Sequence, residues 1–325
     1  MRWFVVRRAL IALPILLGVS IVTFTFANLA PGDPVSALVR PGSDIHPQDV
    51  EKIKEALGLN KPWLERYGTW LGQVLQGNLG VETVGGQSIA KQLARRIPNT
   101  LLLMGTALVV SLVLGVLLGI VSAYRQHTKL DGGLTILIFL GISLPPYLLA
   151  MIAIFLFAVV PFQLTGIHVF PATGIQDPVS KLPAPIDTLW HLALPAGVLA
   201  FGGTATFLRY TRASVLEVMR QDHVTTARSK GLTERAVRFT HVLRNALLPV
   251  VTVLGLTLPT LIVGALFVET LFTWPGVGSY AIQATRQRDY PAIMAVGLLT
   301  STTIILSNLI TDIAYAFVDP RIRYR

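Results

Sequence analysis

The sequence predicts an all-α integral membrane protein with six transmembrane helices, and three observations carry that prediction. Mean hydropathy is +0.62. Only 14% of residues are charged against 52% hydrophobic, whereas soluble domains carry roughly a quarter charged residues. The apolar residues also gather in runs about twenty residues long, enough to cross about 30 Å of hydrocarbon at about 1.5 Å per residue. A soluble chain of 325 residues would interleave short apolar stretches with polar faces, so that class is excluded.

Three regions follow from the hydropathy pattern: an N-terminal transmembrane helix in 1–30, an extracytoplasmic segment in 31–99, and a five-helix core in 100–325 with a cytoplasmic loop at 209–245. Arg2, Arg7 and Arg8 precede the first apolar run, 9–27. That run exceeds the roughly 7–15 apolar residues of a signal peptide, and a Pro-Gly-Asp-Pro stretch follows it instead of a small-residue cleavage site. It reads as a retained helix with its N-terminus in the cytoplasm.

Segment 31–99 has the composition of a small polar domain. Pro47 opens a helical stretch, 48–57, that stops at Gly58. A second, 63–75, sets Tyr67, Trp70, Leu71 and Val74 on one face at helical spacing, suited to packing a small extramembranous core. The next span, 101–123, carries Ser111, Gly115 and Gly119 at a spacing that lets helices approach closely. Pro145-Pro146 interrupts 133–160; two prolines remove backbone donors and must kink or break the helix. The fourth span, 192–208, is short but adequate. The fifth, 246–272, contains Pro249, Pro259 and Glu269, and the sixth, 292–317, contains Asn308 and Asp312.

Basic residues orient the spans. With the N-terminus inside, 16 of the 27 Lys and Arg fall on the cytoplasmic side. Eight of the other eleven lie in the long segment 31–99, where seven acidic residues offset them and where the rule counts least. The N-in, C-in arrangement is therefore expected. It also accounts for the net charge of +10 without nucleic acid. The absence of cysteine excludes disulfides, thiolate metal sites and cysteine nucleophiles.

The cytoplasmic loop is the most informative stretch. Arg212 to Ser229 is polar and helix-compatible, and Gly231 stands where a helix C-cap would be. Thr233 can cap a second short helix, with Glu234 well placed against its dipole. The result is a helix–Gly–helix elbow, too polar to enter the bilayer, that reads as a docking site more readily than as a plain connector.

Within the membrane, ionisable groups are functional candidates by default. Glu269 falls near the outer end of the fifth span and Asp312 toward the inner end of the sixth, too far apart to share a proton or cation. Each takes a structural or helix-end role, with Glu269 anchoring the loop around Trp274. Ser143, Pro145 and Pro146, together with Glu269, are the candidates for the translocation pathway. A broken helix at Ser143 would expose backbone groups to a solute; a simple kink is the alternative. His191 reads as a satisfied interfacial histidine, with no second His, Asp or Glu at metal-ligand spacing.

The run Thr225-Thr226-Ala227-Arg228-Ser229-Lys230-Gly231-Leu232, followed by His241-Val242-Leu243-Arg244-Asn245-Ala246, resembles the EAA loop of bacterial ABC-type importer permeases. The resemblance is to the branch serving dipeptides, oligopeptides and nickel, and to the first of its two permeases. It continues in Leu29-Ala30-Pro31-Gly32-Asp33-Pro34, Leu57-Gly58-Leu59, Gly77-Asn78-Leu79-Gly80, Ile97-Pro98-Asn99-Thr100-Leu101, Ser143-Leu144-Pro145, His191-Leu192-Ala193-Leu194-Pro195, Trp274-Pro275-Gly276-Val277-Gly278 and Arg288-Asp289-Tyr290-Pro291, nearly the whole chain. It departs at Thr225, where many importers have Glu, at Thr226, where they have Ala, and at Asn78, where the branch often has Asp.

The resemblance implies a type I ABC importer permease fold in the bacterial plasma (inner) membrane. It implies four kinds of partner: a homologous second permease, two ATP-binding subunits or a fused one, an extracytoplasmic substrate-binding protein and the lipid bilayer. The solute would be an oligopeptide or dipeptide, with nickel, glutathione or oligosaccharide as alternatives. Residues Thr225 to Leu232 would seat in a groove of the ATPase subunit. No Gly-Lys dipeptide occurs, so the chain has no Walker A loop. ATP and Mg would be bound by the partner, and this chain would be a translocation subunit and no enzyme. An ion-coupled secondary transporter would need repeats and a midplane ion site. An intramembrane hydrolase would need a base beside Ser111 or Ser143. Neither pattern is visible.

Overall fold

The structure, a computed structural model, describes residues 2–29, 60–257 and 266–318. The expected helix at 48–57, the Pro31 to Pro34 stretch and Pro259 lie outside the described residues, as does the side chain of Asp312. Among the described residues six helical stretches are long and apolar enough to cross a membrane.

The first, α1 (Arg2–Leu29), is followed by α2 (Trp63–Leu75), whose bounds match the expected amphipathic stretch. Among the described residues its aromatic face meets the first helix. Trp63, Tyr67 and Trp70 pack around Phe24 of α1 at ring separations of 5.8, 5.5 and 5.3 Å, and the Tyr67 hydroxyl lies 2.7 Å from Ser20 Oγ.

The long helix α3 (Ile89–Tyr124) begins well before the apolar run that marks its span. After it comes α4 (Lys129–Ser143), started by Thr128, whose Oγ1 accepts from Asp131 N at 3.4 Å. The double proline then breaks the chain. Leu144 and Pro145 are extended, with ψ of 125° and 142°. A residue before proline is pushed out of the α region, and Pro146 is free to start α5 (Pro146–Ile154) because N1 needs no donor. This helix runs through a widened π turn (Phe155–Val159) into α6 (Val160–Thr165). The interruption is a break, the stronger of the two expectations.

The fourth span proves to be a 36-residue helix, α7 (Ala184–Met219). Apolarity marks only its middle; its polar ends, with Asp187 at one and Arg212 at the other, continue as helix beyond the bilayer. Next come α8 (Asp222–Ser229) and α9 (Glu234–Ala236), the latter passing through a π turn (Val237–Leu243) into α10 (Arg244–Ala246) and α11 (Leu248–Thr257). The fifth span therefore starts within the 209–245 loop and not at Ala246. The chain ends with α12 (Leu266–Leu271), α13 (Val277–Gln287) and α14 (Tyr290–Val318).

The centre of the fold is the crossing of α3 and α7, and the small residues of α3 make it possible. A Cβ on Gly115 would overlap the Phe207 side chain, one on Gly119 would lie 2.6 Å from Thr211 Cβ, and one on Gly203 would overlap Ser111. In a membrane, where lipid tails are as apolar as side chains, such close packing supplies much of the association. Gly119→Leu is expected to force the two helices apart at a cost of roughly 1–3 kcal/mol or more. The check is the fraction of monodisperse protein left after a heat step, with Gly105→Ala, whose Cβ meets nothing within 4 Å, as the silent comparison.

Candidate functional site

The elbow of the 209–245 loop is held from inside. Val224 and Ala227, one turn apart on α8, are buried against Val215 and Val218 of α7 and Val237 and Val242 of the following π turn. Alternation of buried and exposed positions leaves Thr225, Thr226, Arg228, Ser229 and Lys230 facing solvent. Of the eight loop residues singled out in the sequence, Ala227 is thus the one turned inward; it seats the elbow and is not available to a partner.

The turn itself is a Schellman motif. Gly231 has φ of +76°. Its N–H donates to Arg228 O at 2.9 Å, and Leu232 N donates to Ala227 O at 3.4 Å, which satisfies two carbonyls at the helix end. Thr233 Oγ1 accepts from Ala236 N at 3.3 Å and starts the second arm. Arg228 Nε donates to Glu234 Oε1 at 2.9 Å across the bend, and Arg238 lies over the Tyr124 ring at 4.9 Å. Two arms fixed at one angle, with a polar and basic outer surface around the half-exposed Leu232, make a rigid projection.

Above the elbow lies an ion pair that belongs to no sequence motif. Arg212 of α7 donates from Nε to Asp131 Oδ1 at 2.9 Å and from Nη2 to Oδ2 at 3.0 Å. Ser122 of α3 donates to Asp131 Oδ1 at 2.5 Å, and His127 N to Oδ2 at 3.1 Å. Asp131 is 5% exposed. The Arg212 and Ser122 hydrogen bonds hold its carboxyl well below the usual carboxylate range against the opposing effect of burial. One carboxylate therefore ties the first turn of α4 to α3 and α7 together. A signal existed: Asp131 is the sole acidic residue between Glu82 and Asp177. It sits beside the Thr128 cap, and so passes for an ordinary helix-start acid.

Ser143, Pro145 and Pro146 occupy the break between α4 and α5, and all three side chains are exposed on this chain. Glu269 is elsewhere and enclosed, at 0% exposure. Thr100 Oγ1 donates to its Oε1 at 2.8 Å and Ser279 N to its Oε2 at 2.9 Å. Gly276 and Gly278 pass so close that a Cβ on either would run into the carboxylate. Trp274 Nε1 donates to Asn99 O, and Asn99 Nδ2 to Pro275 O, each at 2.9 Å. Two motifs about 175 positions apart, around Asn99 and around Trp274, thus form one knot with Glu269 at its centre. With both oxygens hydrogen-bonded and the side chain fully buried, Glu269 anchors this loop.

Asp289 makes a second tie, accepting from Thr83 N at 2.9 Å and Ala292 N at 3.2 Å. Tyr280 donates to Glu82 Oε1 at 2.9 Å, and burial pushes its phenol up. A cleft of about 420 Å³ opens beside the knot, lined by Arg96, Trp274, Ser279, Gln283 and Arg286. At His191 the sequence reading overlooked Asp187 one turn earlier. Its carbonyl lies 2.9 Å from His191 Nδ1 and its carboxylate 3.5 Å, so the buried imidazole has its partners. Among the described residues no three His, Asp or Glu side chains come together as a metal site would require.

Comparison with known proteins gives a consistent set of similarities. Residues 115–324 match the family described as the binding-protein-dependent transport system inner membrane component, and residues 1–104 match the N-terminal membrane component of the same systems. The chain is 40% identical over 322 residues to the oligopeptide transport system permease protein AppB of Bacillus subtilis, covering 99% of both chains. It is 34% identical over 335 residues to the dipeptide transport system permease protein DppB of Alkalihalophilus pseudofirmus, again covering 99% of both. Among solved structures, an amino acid ABC transporter crystallised with histidines aligns with a TM-score of 0.53 at 13% identity, over 70% of this chain and 94% of that one. That last match speaks for the fold alone.

Proposed function

The chain belongs to the binding-protein-dependent transport system inner membrane components, and from that premise we propose that it is the permease subunit of an ATP-driven importer of oligopeptides or dipeptides. It is a multi-pass protein of the inner membrane. The observation that carries the peptide reading is similarity over essentially the full length to two peptide-system permeases. That similarity favours peptide over nickel, glutathione and oligosaccharide.

The mechanism rests on the geometry of the cytoplasmic side. The chain has no phosphate-binding loop, so ATP and Mg are bound by partner subunits, and work must enter through a surface those subunits can push. The elbow from Thr225 to Leu232 is that surface. Because Val224 and Ala227 are locked into α7 and the start of the fifth span, displacement of the elbow moves both. Through Asp131 and Arg212 the same displacement reaches α4, which ends at the break before Pro145. A helix broken there leaves backbone groups free to face a solute as the two permeases part. The second permease and the substrate-binding protein complete the system.

The test is reconstitution of the four-component system in proteoliposomes. Peptide-loaded binding protein is expected to stimulate ATP hydrolysis and peptide accumulation together. Stimulation by a nickel- or sugar-loaded binding protein instead, with none by peptide, would move the chain to another branch. Orientation is checked in a chain without native cysteine. Single cysteines at Gln87 and Ser229, both exposed, should respectively accept and escape an impermeant thiol reagent on intact cells; the opposite pattern inverts the topology.

A further inference from the structure

We infer that α2 is an interfacial helix, seated with its free apolar stripe in the headgroup and upper acyl layer of the outer leaflet. The aromatic flank fixes its depth. Phe24, around which Trp63, Tyr67 and Trp70 pack, lies five residues before Leu29, the outer end of the first span. At about 1.5 Å per residue that is about 8 Å below the end of the apolar run. Tyr67 reaches further down, to Ser20, and Arg66 bonds to Asn28 above. The helix therefore crosses α1 at the level where tryptophan and tyrosine concentrate at membrane surfaces and where interfacial helices bury their apolar face by about 5–10 Å.

The rest of the helix is arranged for that position. Beside the aromatic flank runs a second apolar stripe, Leu64, Leu71 and Leu75, at spacings of seven and four residues. Leu64 is 74% and Leu75 80% exposed. On the opposite side Glu65, Thr69 and Gln73 are exposed, with Glu65 paired to Lys61 at 2.6 Å. An apolar stripe of this exposure needs a cover. Its occupant is lipid because the contact with Phe24 sets the stripe at the depth of the outer leaflet, beside a span whose own Val22, Phe26 and Leu29 are 52%, 70% and 73% exposed. The extracytoplasmic segment after the first helix is thereby tied to the plane of the membrane at α2.

The full complex, reconstituted in phospholipid, gives the test. Single cysteines at Leu64, Leu75, Thr69 and Gln73 are spin-labelled and exposed to oxygen, which partitions into bilayers, and to a water-soluble nickel chelate. Labels at Leu64 and Leu75 should relax faster with oxygen, and those at Thr69 and Gln73 faster with the chelate. The unsubstituted chain offers a second measurement free of labels. Phospholipids brominated high on the acyl chain should quench tryptophan fluorescence, and part of that quenching should vanish in Trp63→Phe with Trp70→Phe. Labels at 64 and 75 shielded from both reagents would mean that a protein surface covers the stripe. Preference for the chelate, or quenching unchanged by the double substitution, would place α2 in water; any of these overturns the inference.

Discussion

Gly231→Val is expected to abolish substrate-stimulated ATP hydrolysis while leaving the permease inserted and paired with its partner permease. The reason is the backbone conformation alone. A Cβ at this position would meet nothing within 4 Å, so there is no clash to relieve and no packing to lose. The φ of +76° is left-handed, which costs an L-residue about 1–2 kcal/mol and a β-branched one more. The chain escapes that cost by straightening the bend, which breaks the bonds from Gly231 N and Leu232 N and pulls Arg228 from Glu234. Gly231→Asn is the control, since asparagine tolerates this region, and should retain most of the stimulation. The measurement is ATPase activity of the reconstituted complex with and without loaded binding protein, alongside the ATPase subunit retained on purification. Normal stimulation and retention in the valine variant would reduce the loop to a connector. Ala227→Asp is not an equivalent probe of the contact: it drives a charge into the cluster around Val215 and Val237 and would unseat the whole elbow. Thr226→Asp, on the exposed side, tests the contact itself.

The elbow was legible because its rules are local. A glycine after a polar helical run, then threonine and glutamate, specify a left-handed cap and a new N-terminus, and both occur where the residues put them. The proline break and the close crossing at Gly115 and Gly119 were legible for the same reason. What the sequence hid was long-range. Hydropathy stops counting where a helix leaves the bilayer, so it cut α7 to its apolar middle and missed that polar helix continues to Asp187 and Met219. Nothing in the neighbourhood of Asp131 announces Arg212, 81 positions away. Glu269 looked like a pathway candidate because intramembrane acids often are; only the fold shows that Thr100 and Ser279 occupy it. The aromatic face of α2 was legible from its spacing, but not that it would meet the first transmembrane helix, since no periodicity says which surface an apolar flank will meet.

Breaking the Asp131–Arg212 pair should have the largest effect on stability of any single substitution considered. Arg212→Ala leaves a carboxylate at 5% exposure with Ser122 and one backbone N–H as its remaining partners. Removing one member of a buried pair costs about 3–5 kcal/mol, most of it the penalty of the orphaned charge. The pH dependence carries a sign that identifies the cause. In the native protein folding lowers the Asp131 pKa, so the stabilisation is complete at neutral pH and is lost only as pH falls below the ordinary carboxylate value of about 4. In Arg212→Ala the strongest of the contacts that lower the pKa is gone, while the Ser122 and His127 hydrogen bonds still oppose burial. The variant therefore has less stabilisation to lose on protonation, so the gap to wild type should hold steady from about pH 7 to 5 and narrow only as pH falls below about 4. A gap that stays constant below that value as well would mean the loss is one of packing and not of charge. Replacing both members, Asp131→Leu with Arg212→Met, removes the orphaned charge and should recover much of the stability. What it should not recover is coupling. The bidentate fork fixes the direction of α4 relative to α7, and two apolar side chains can slide past each other where a fork cannot. The double variant is expected to assemble with its ATPase subunits and hydrolyse ATP at the basal rate, yet to respond weakly to loaded binding protein. If stimulation returns together with stability, the pair holds the fold and transmits nothing, and the route from the elbow to the break at Pro145 must run through α7 alone.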